Sequence, residues 1–204
     1  MLDTPPSPAE PGRRARKKAQ TRQAIYDAAM RLFLARGYDA VTVEDVCAAA
    51  DVAKGTFFLH FPTKDALLAE YGYQATDDLR ERLATHRGGA ASALRFVLRT
   101  LAERAERHPE IVRLTIRETM ARPAAIERST AQGRSVGELL AEIVRGGQAA
   151  GELRRGIAPE VAGAVLIGSY FTIVNVWALG RERFDLTDVV DQSLKLVLHG
   201  LKKE

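Results

Sequence analysis

Apolar residues recur at intervals of three and four along most of this chain, whereas series of short alternating apolar and polar runs joined by hairpin turns do not occur. For example, Ile25, Ala28, Ala29 and Phe33 fall on one face of a helix from about residue 18 to residue 36. Glycines and prolines interrupt the pattern and divide the chain into about nine segments. The sequence therefore predicts an all-α protein in which three N-terminal helices precede six others.

The predicted helices cover approximately residues 18–36, 42–50, 54–60, 63–86, 90–107, 109–121, 123–150, 159–179 and 186–202. Gly37 is placed to terminate the first helix. Thr42 and Asp45 have the spacing of a capping box, which indicates that the second helix begins there. Pro62 ends the third helix.

The composition narrows the class of protein. The chain has 204 residues, of which 46% are hydrophobic, and carries a net charge of +4. Its one cysteine, Cys47, excludes an intramolecular disulfide, is best interpreted as a small buried apolar residue, and fits a reducing compartment. The N-terminus has no apolar run behind a basic start, so we expect a cytoplasmic protein without a secretory signal.

Six basic residues and no acidic residue lie between positions 11 and 22, and they are Arg13, Arg14, Arg16, Lys17, Lys18 and Arg22. Such a segment either reaches toward phosphates or is a solvated, disordered tail, and composition does not separate the two. We expect residues 1–17 to form a disordered basic arm.

Residues 161–179 contain no charged side chain, so a membrane span has to be weighed. Ser169, Thr172 and Asn175 interrupt this stretch at spacings of three, and amphipathic helices flank it on both sides. A helix buried within a bundle or a dimer has the same composition. We therefore favour a buried helix and no membrane partner.

Helices two and three are joined by a turn at residues 50–53, which is the arrangement of a helix-turn-helix with the second helix in the DNA major groove. Phe57 and Phe61 are expected to pack this helix onto the domain. The residues expected to face double-stranded DNA are Lys54, Gly55, Thr56, Phe58 and His60, with Thr42 and Lys64 near phosphates at the adjacent helix starts.

The residues from Thr21 to Leu68 resemble the DNA-binding domain of the TetR family of bacterial transcriptional regulators. The resemblance is carried by "TRQAIYDAAMRLFLARGYDAVTVEDV" and "AAADVAKGTFFLHFPTKDALL". It implies an all-helical homodimer whose last two helices pair across a two-fold axis. It also implies that the middle helices enclose a ligand pocket.

The chain departs from the family pattern at three places. Asp51 stands where a turn glycine is usual, although aspartate tolerates a left-handed backbone better than most residues. Ala53 replaces the usual capping serine, with a loss of about 1 kcal/mol. Phe58 and Leu59 replace a frequent pair of tyrosines, so the operator sequence and the phosphate contacts are expected to differ.

Ten side chains on the later helices are expected to line the ligand site: Phe96, Ile111, Leu114, Thr115, Leu139, Ile143, Tyr170, Phe171, Val174 and Trp177. Ser169, Thr172 and Asn175 are expected to line the cavity, to cross the dimer axis or to bond within their own helix, and the sequence leaves these alternatives open. No basic cluster in the sequence points to an acidic ligand. The expected effector is therefore a small apolar or amphipathic molecule of unknown identity.

Two other classes of function fit the sequence less well. An enzyme would need a nucleophile with its base, a glycine-rich phosphate loop or a carboxylate pair, and the sequence offers no such motif, no metal site and no cofactor site. A helical interaction module would explain the six later helices but not the first three.

The resulting hypothesis is a homodimeric repressor with three parts, namely residues 1–17, a DNA-binding domain at 18–63 and a ligand-binding and dimerisation domain at 64–204. Effector binding is expected to release the palindromic operator.

The expected homodimer interface uses residues of about 160–179 and 187–202. This expectation rests on the uncharged eighth helix and on an apolar stripe that includes Val190, Leu194 and Leu198, because one core can hardly hide both surfaces.

Overall fold

A computed structural model describes residues 12–121, 135–180 and 184–201, and within these residues the protein has nine helices and no strand. The helices are α1 (Arg13–Arg36), α2 (Val43–Ala49), α3 (Lys54–His60), α4 (Asp65–Ala84), α5 (Ala90–Arg107), α6 (Pro109–Ala121), α7 (Val136–Ala149), α8 (Pro159–Ala178) and α9 (Leu186–Leu201). The all-α prediction is confirmed. The chain forms two compact units, residues 1–64 and residues 65–204.

The N-terminal unit is built around α1, which packs against α2, and α2 packs against α3. Ile25, Phe33 and Phe57 are almost completely buried, and the rings of Phe33 and Tyr38 lie 4.9 Å apart between centroids. Burial of several large side chains in about fifty residues supplies the hydrophobic free energy that holds three helices together. This small core fixes the position of α3.

The first helix begins earlier than the sequence suggested. Arg13–Lys17 belong to α1, so the expected disordered arm does not extend to residue 17. The physical reason is local, because arginine, lysine and alanine are strong helix formers and no helix breaker follows Gly12 before residue 36. The remaining part of the expected arm, residues 1–11, lies outside the described residues.

The C-terminal unit is a helical bundle in which α8 packs along α7, and α9 packs against α5 and α8. Gly163 makes the close approach of α8 and α7 possible, because a Cβ atom there would lie 2.6 Å from the backbone oxygen of Gly137. Ser135 caps α7 by accepting a hydrogen bond from the amide of Glu138 at 3.0 Å. Of the helix predicted at 123–150, the structure describes the part from residue 136, and residues 122–134 lie outside the described residues.

Part of the apolar stripe of α9 is buried within a single chain. Val190, Leu194 and Leu198 are at most 8% exposed. Their spacing of four residues places them on one face of α9, which packs against α5 and α8. The core of a single chain therefore covers these three residues, whereas Val189 and Val197 on the same helix are half-buried, and the expected interface over residues 187–202 stays a prediction.

One side of α8 stays exposed to solvent in the single chain. Val161, Val165, Val176 and Leu179 are between 42% and 58% exposed, and Leu196 of α9 is 78% exposed. By length and composition α8 is also apolar enough to cross a membrane. However, its other face carries Leu166, Tyr170 and Val174 into the bundle core, as expected for a helix of a folded domain.

The hydroxyls of Ser169 and Thr172 bond within their own helix. The hydroxyl of Ser169 donates to the Val165 oxygen at 2.8 Å, and that of Thr172 donates to the Gly168 oxygen at 3.0 Å. Thr172 and Asn175 are exposed. Of the alternatives left open by the sequence, local bonding therefore applies to both hydroxyls.

Candidate functional site

The helix-turn-helix is held by caps and a strained turn. Thr42 and Asp45 form the predicted capping box, in which the amide of Asp45 donates to Thr42 Oγ1 at 3.1 Å and the amide of Thr42 donates to Asp45 Oδ2 at 2.8 Å. These bonds lower the pKa of Asp45, with the backbone amide of Thr42 as the main cause. In the turn Asp51 has a φ of 51°, which confirms the left-handed conformation expected there, and Ala53 provides no side-chain cap.

One face of α3 packs into the domain. Phe57 and Phe61 are 0% exposed and their rings lie 6.1 Å apart, as the sequence predicted. The guanidinium of Arg22 lies 4.1 Å from the centre of the Phe61 ring and donates to the backbone oxygen of His60. Arg22 thereby attaches the end of α3 to α1.

The opposite face of α3 is open to solvent. Lys54 and Gly55 are exposed, Phe58 is 45% exposed and Leu59 is 72% exposed. Large apolar side chains at such positions are typical of contact surfaces rather than of a solvated helix. Three of the residues predicted to face DNA, Lys54, Gly55 and Phe58, therefore lie on a helix face that is accessible from solvent, as a helix that enters the major groove requires.

Lys54 is already paired within the protein. Its ammonium donates to Glu44 Oε1 of α2, and both side chains are exposed. The hydrogen bond lowers the pKa of Glu44 and raises the pKa of Lys54. A DNA acceptor would therefore have to replace Glu44 as the partner of this lysine.

His60 does not face outward as the sequence suggested. It is 8% exposed, and its Nδ1 has no hydrogen-bond partner among the described residues. Because it follows Phe57 by three residues, it lies on the packed face of a seven-residue helix. Burial lowers the pKa of His60, and the nearby charges of Arg22 and Lys18 lower it further.

Lys64 also has a structural role that the sequence did not indicate. Its ammonium donates to the backbone oxygens of Tyr38 and Val41, both at 2.9 Å, and lies 4.2 Å from the centre of the Tyr38 ring. Two of its three donors are therefore used to hold the loop between α1 and α2. This geometry differs from a lysine that contacts phosphate alone.

A basic groove lies between the start of α1 and the exposed side of α3. Its volume is about 300 Å³, and it is lined by Arg14, Lys17, Lys18, Thr21, Thr56, Leu59 and His60. The sequence analysis placed two of these bases, Arg14 and Lys17, in a disordered arm, put Lys18 at the start of the first helix, and did not single out Thr21. The signal was nevertheless present, because positions 14, 17, 18 and 21 share one face of a helix.

The side chains expected to line a ligand site occupy different surroundings in the bundle. Leu114, Leu139, Tyr170 and Val174 are buried, whereas Phe96, Ile111, Thr115, Ile143, Phe171 and Trp177 are half-buried. Phe96 is covered by the guanidinium of Arg82 at 4.9 Å and by the His86 ring at 5.0 Å. The hydroxyl of Tyr170 donates to the backbone oxygen of Leu101 at 3.0 Å, and burial strongly raises its pKa.

Cys47 is buried as expected, and burial raises the pKa of its thiol. Across the described residues, no cluster of three or more histidine, cysteine, aspartate or glutamate side chains is positioned to hold a metal ion.

Comparison with known proteins places both units in one family. Residues 25–71 match the model of bacterial regulatory proteins of the tetR family, and residues 91–181 match the tetracyclin repressor-like C-terminal domain. The HTH-type transcriptional regulator TcmR of Streptomyces glaucescens is 44% identical over 66 residues, which are 31% of this chain and 29% of TcmR. The chain thus spans less than a third of the length of this curated relative.

Solved structures extend the likeness to nearly the whole chain. Thermus thermophilus FadR, a transcriptional repressor solved with lauroyl-CoA, has a TM-score of 0.70 and 32% identity over 90% of this chain and 96% of that one. Bacillus subtilis FadR, solved with stearoyl-CoA, has a TM-score of 0.69 and 20% identity over 87% and 98% of the two chains, and shares the fold. A SmeT–triclosan complex has a TM-score of 0.67 and 23% identity over 91% and 93% of the two chains. With both family models matched and a relative of this identity aligned almost end to end, the chain belongs to the TetR family of bacterial regulatory proteins.

Proposed function

We propose that this protein is a homodimeric repressor that binds a palindromic DNA operator through α3 and releases it when a small apolar or amphipathic effector binds the helical unit. The observation that carries the DNA-binding part is the exposed face of α3 beside a basic groove. The relatives named above support a regulatory role, since FadR is described as a repressor and TcmR as a transcriptional regulator.

The proposed DNA contacts fall into two groups. Lys54, Gly55, Thr56 and Phe58 lie on or beside the exposed tip of α3 and are assigned to base edges and the adjacent backbone. The cations of the groove, on α1, are assigned to phosphates, because a helix face with three bases supplies charge without reading sequence. Thr42 and Lys64 are assigned mainly to shaping the domain, since their polar groups are used internally.

The proposed dimer is supported by the uncovered side of α8. Val161, Val165 and Val176 are four and eleven residues apart, which places them on one face of the helix, and this face is continuous with small residues such as Gly168. A two-fold pair of such helices would remove these side chains from water. Two copies of α3 would then read two half-sites.

The proposed effector site lies among α4–α8. The mixture of buried apolar residues with Tyr170 and Thr115 suits a molecule with a long apolar part. FadR and SmeT were solved with lauroyl-CoA, stearoyl-CoA and triclosan, which are molecules of this general character. The chain passes from Lys64 directly to the first residue of α4, so α4 is the proposed route by which ligand binding acts on the DNA-binding unit.

The first experiment selects operator sequences from a pool of random duplexes with the purified full chain. We expect enrichment of inverted repeats whose half-sites lie about one helical turn apart. Lys54→Ala and Thr56→Ala should lose the preference for the selected sequence, whereas Arg107→Ala, an exposed position at the end of α5, should retain it. Failure to enrich any sequence would reject specific binding.

The second experiment tests whether effector binding releases the operator. An effector found by thermal shift against the native protein is titrated calorimetrically with and without the selected operator. Linkage requires that a tenfold weakening of DNA binding by the effector equals a tenfold weakening of effector binding by the operator, or about 1.4 kcal/mol. Identical effector affinities in the two titrations would reject the release mechanism.

A further inference from the structure

Three polar side chains from three helices meet inside the C-terminal unit. The guanidinium carbon of Arg104 on α5 lies 4.6 Å from the centre of the Tyr71 ring on α4. Tyr170 on α8 interacts electrostatically with both residues, and its hydroxyl donates to the backbone oxygen of Leu101, three residues before Arg104. The side chains of Tyr71 and Tyr170 are more than nine-tenths buried.

Two of these groups have unmet hydrogen-bonding capacity. Arg104 Nε and the Tyr71 hydroxyl are shielded from solvent and form no hydrogen bond with any described residue. A buried donor without a partner costs about 1–3 kcal/mol, and a cation without an anion costs more. In the described part of the chain, no carboxylate pairs with Arg104.

A third unpartnered group lies on α6. The hydroxyl of Thr115 is shielded and forms no hydrogen bond with a described residue. The helix that carries it packs against both α4 and α5, the helices of Tyr71 and Arg104. The unmet groups of this part of the bundle are therefore two hydroxyls and one guanidinium N–H.

The chemistry of these three groups indicates which kind of hydrogen-bond partner is missing. All three can donate a hydrogen bond, so the missing partner is an acceptor, and the charge of Arg104 favours an anionic one. A guanidinium matches the planar geometry of a carboxylate better than any other side chain does. Neighbouring positions on the same helices, including Leu101, Leu114 and Val174, are buried and apolar.

We propose that Arg104 and Tyr71 bind the carboxylate of an apolar organic acid, with Thr115 as a further donor from α6. The proposal rests on the proposed function, and it narrows the effector from any apolar or amphipathic molecule to a carboxylate with an apolar chain. The sequence did not indicate an acidic ligand because it contains no basic cluster in these helices. One arginine suffices when the fold adds hydroxyls from other helices and no carboxylate of the described residues pairs with the cation.

The test compares decanoate with 1-decanol, two probes of equal chain length that differ in charge. Each is titrated calorimetrically into the full-length protein without DNA, at concentrations where both are monomeric. The native protein is expected to bind decanoate at least tenfold more tightly than 1-decanol. Arg104→Met should lose at least tenfold in decanoate affinity with little change for decanol, and Tyr71→Phe, which keeps the stacked ring, should lose about threefold.

Arg107→Met is the matched control, because it removes the same charge from an exposed position on the same helix, and it should behave like the native protein. Equal affinity for the two probes, or no binding of decanoate up to millimolar concentration, would overturn the proposal. A preference for decanoate that persists in both Arg104→Met and Tyr71→Phe would also overturn it. The same holds for a preference that Arg107→Met loses to the same extent as Arg104→Met. If Arg104→Met does not fold, as judged by its thermal melt, Tyr71→Phe decides the result alone.

The outcome is separable from that of the proposed function. Operator affinity is measured independently with and without decanoate. Decanoate that binds through Arg104 without changing operator affinity would reject the release mechanism and leave the carboxylate site intact. If an uncharged effector releases the operator and the protein does not bind decanoate, the carboxylate site is rejected and the release mechanism stands.

Discussion

The basic groove permits a quantitative prediction about salt. We consider a triple variant in which Arg14, Lys17 and Lys18 are replaced by glutamine. All three line the groove beside the exposed side of α3, and α1 holds them on one helical face. Glutamine keeps a helix-forming side chain and removes only the charge, so the fold is expected to persist.

The magnitude follows from counterion release. Each phosphate neutralised on B-DNA contributes about 0.9 to the slope of log K against log salt concentration. Three cations in each subunit of the proposed dimer make six such contacts, so the slope should become shallower by up to about 5. Between about 50 and 200 mM salt, the loss of affinity should be smaller than in the native protein by roughly a thousandfold.

The assay is fluorescence anisotropy with a labelled operator duplex and with a random duplex of the same length, at several salt concentrations. Both duplexes should show the same change of slope, because phosphate contacts carry no sequence information. The matched control replaces Arg107, Arg113 and Lys195 with glutamine, since these exposed bases belong to the C-terminal unit.

Two results would refute the reasoning. An unchanged slope in the groove variant would mean that these cations do not meet phosphates in the complex. An equal change in the control variant would mean that overall net charge, rather than the groove, determines the salt dependence.

Three further predictions concern the stability of the DNA-binding unit. Phe57→Ala should cost about 3–5 kcal/mol in chemical denaturation because the ring is 0% exposed, whereas Leu59→Ala, at 72% exposed, should cost less than about 0.5 kcal/mol. Thr42→Ala should cost about 1 kcal/mol in the same assay, since it removes the hydroxyl that caps α2, and an unchanged unfolding midpoint would contradict this. The free energy of unfolding should fall as the pH drops below about 6.5, because His60 has a lowered pKa and the unfolded chain binds the proton more readily. Urea titrations from pH 8 to pH 5 should show this slope, His60→Gln should flatten it, and a variant slope equal to that of the native protein would rule out His60 as its source.

Much of the architecture follows from local sequence. The apolar spacing of α1, the capping box at Thr42 and the proline after α3 each act over a few residues, and the structure has helices and caps where these signals stand. The left-handed Asp51 was recognisable for the same reason, since the preference belongs to the residue itself. The family resemblance also rests on this short region, which explains why it was visible before the structure.

The surroundings of a side chain depend on tertiary packing, which the sequence does not show. His60 and Lys64 are residue types that often contact DNA. However, His60 lies on the packed face of α3, and Lys64 donates to the carbonyls of Tyr38 and Val41. Likewise, an apolar stripe on α9 shows only that Val190, Leu194 and Leu198 are buried, not whether their own chain or a second copy buries them.

Sequence by itself therefore determined which segments are helical, the boundaries that carry a cap or a helix breaker, and which family they resemble, because helix periodicity and capping are interactions between residues at most four positions apart. Tertiary structure alone decided that Lys54 pairs with Glu44, that the bases of α1 line a groove beside α3, and that Arg104 lies over Tyr71 with no acidic partner among the described residues. Each of these arrangements joins residues on different helices, about ten to forty positions apart. Which atoms meet across such distances is set by how whole helices pack, and no local pattern encodes that.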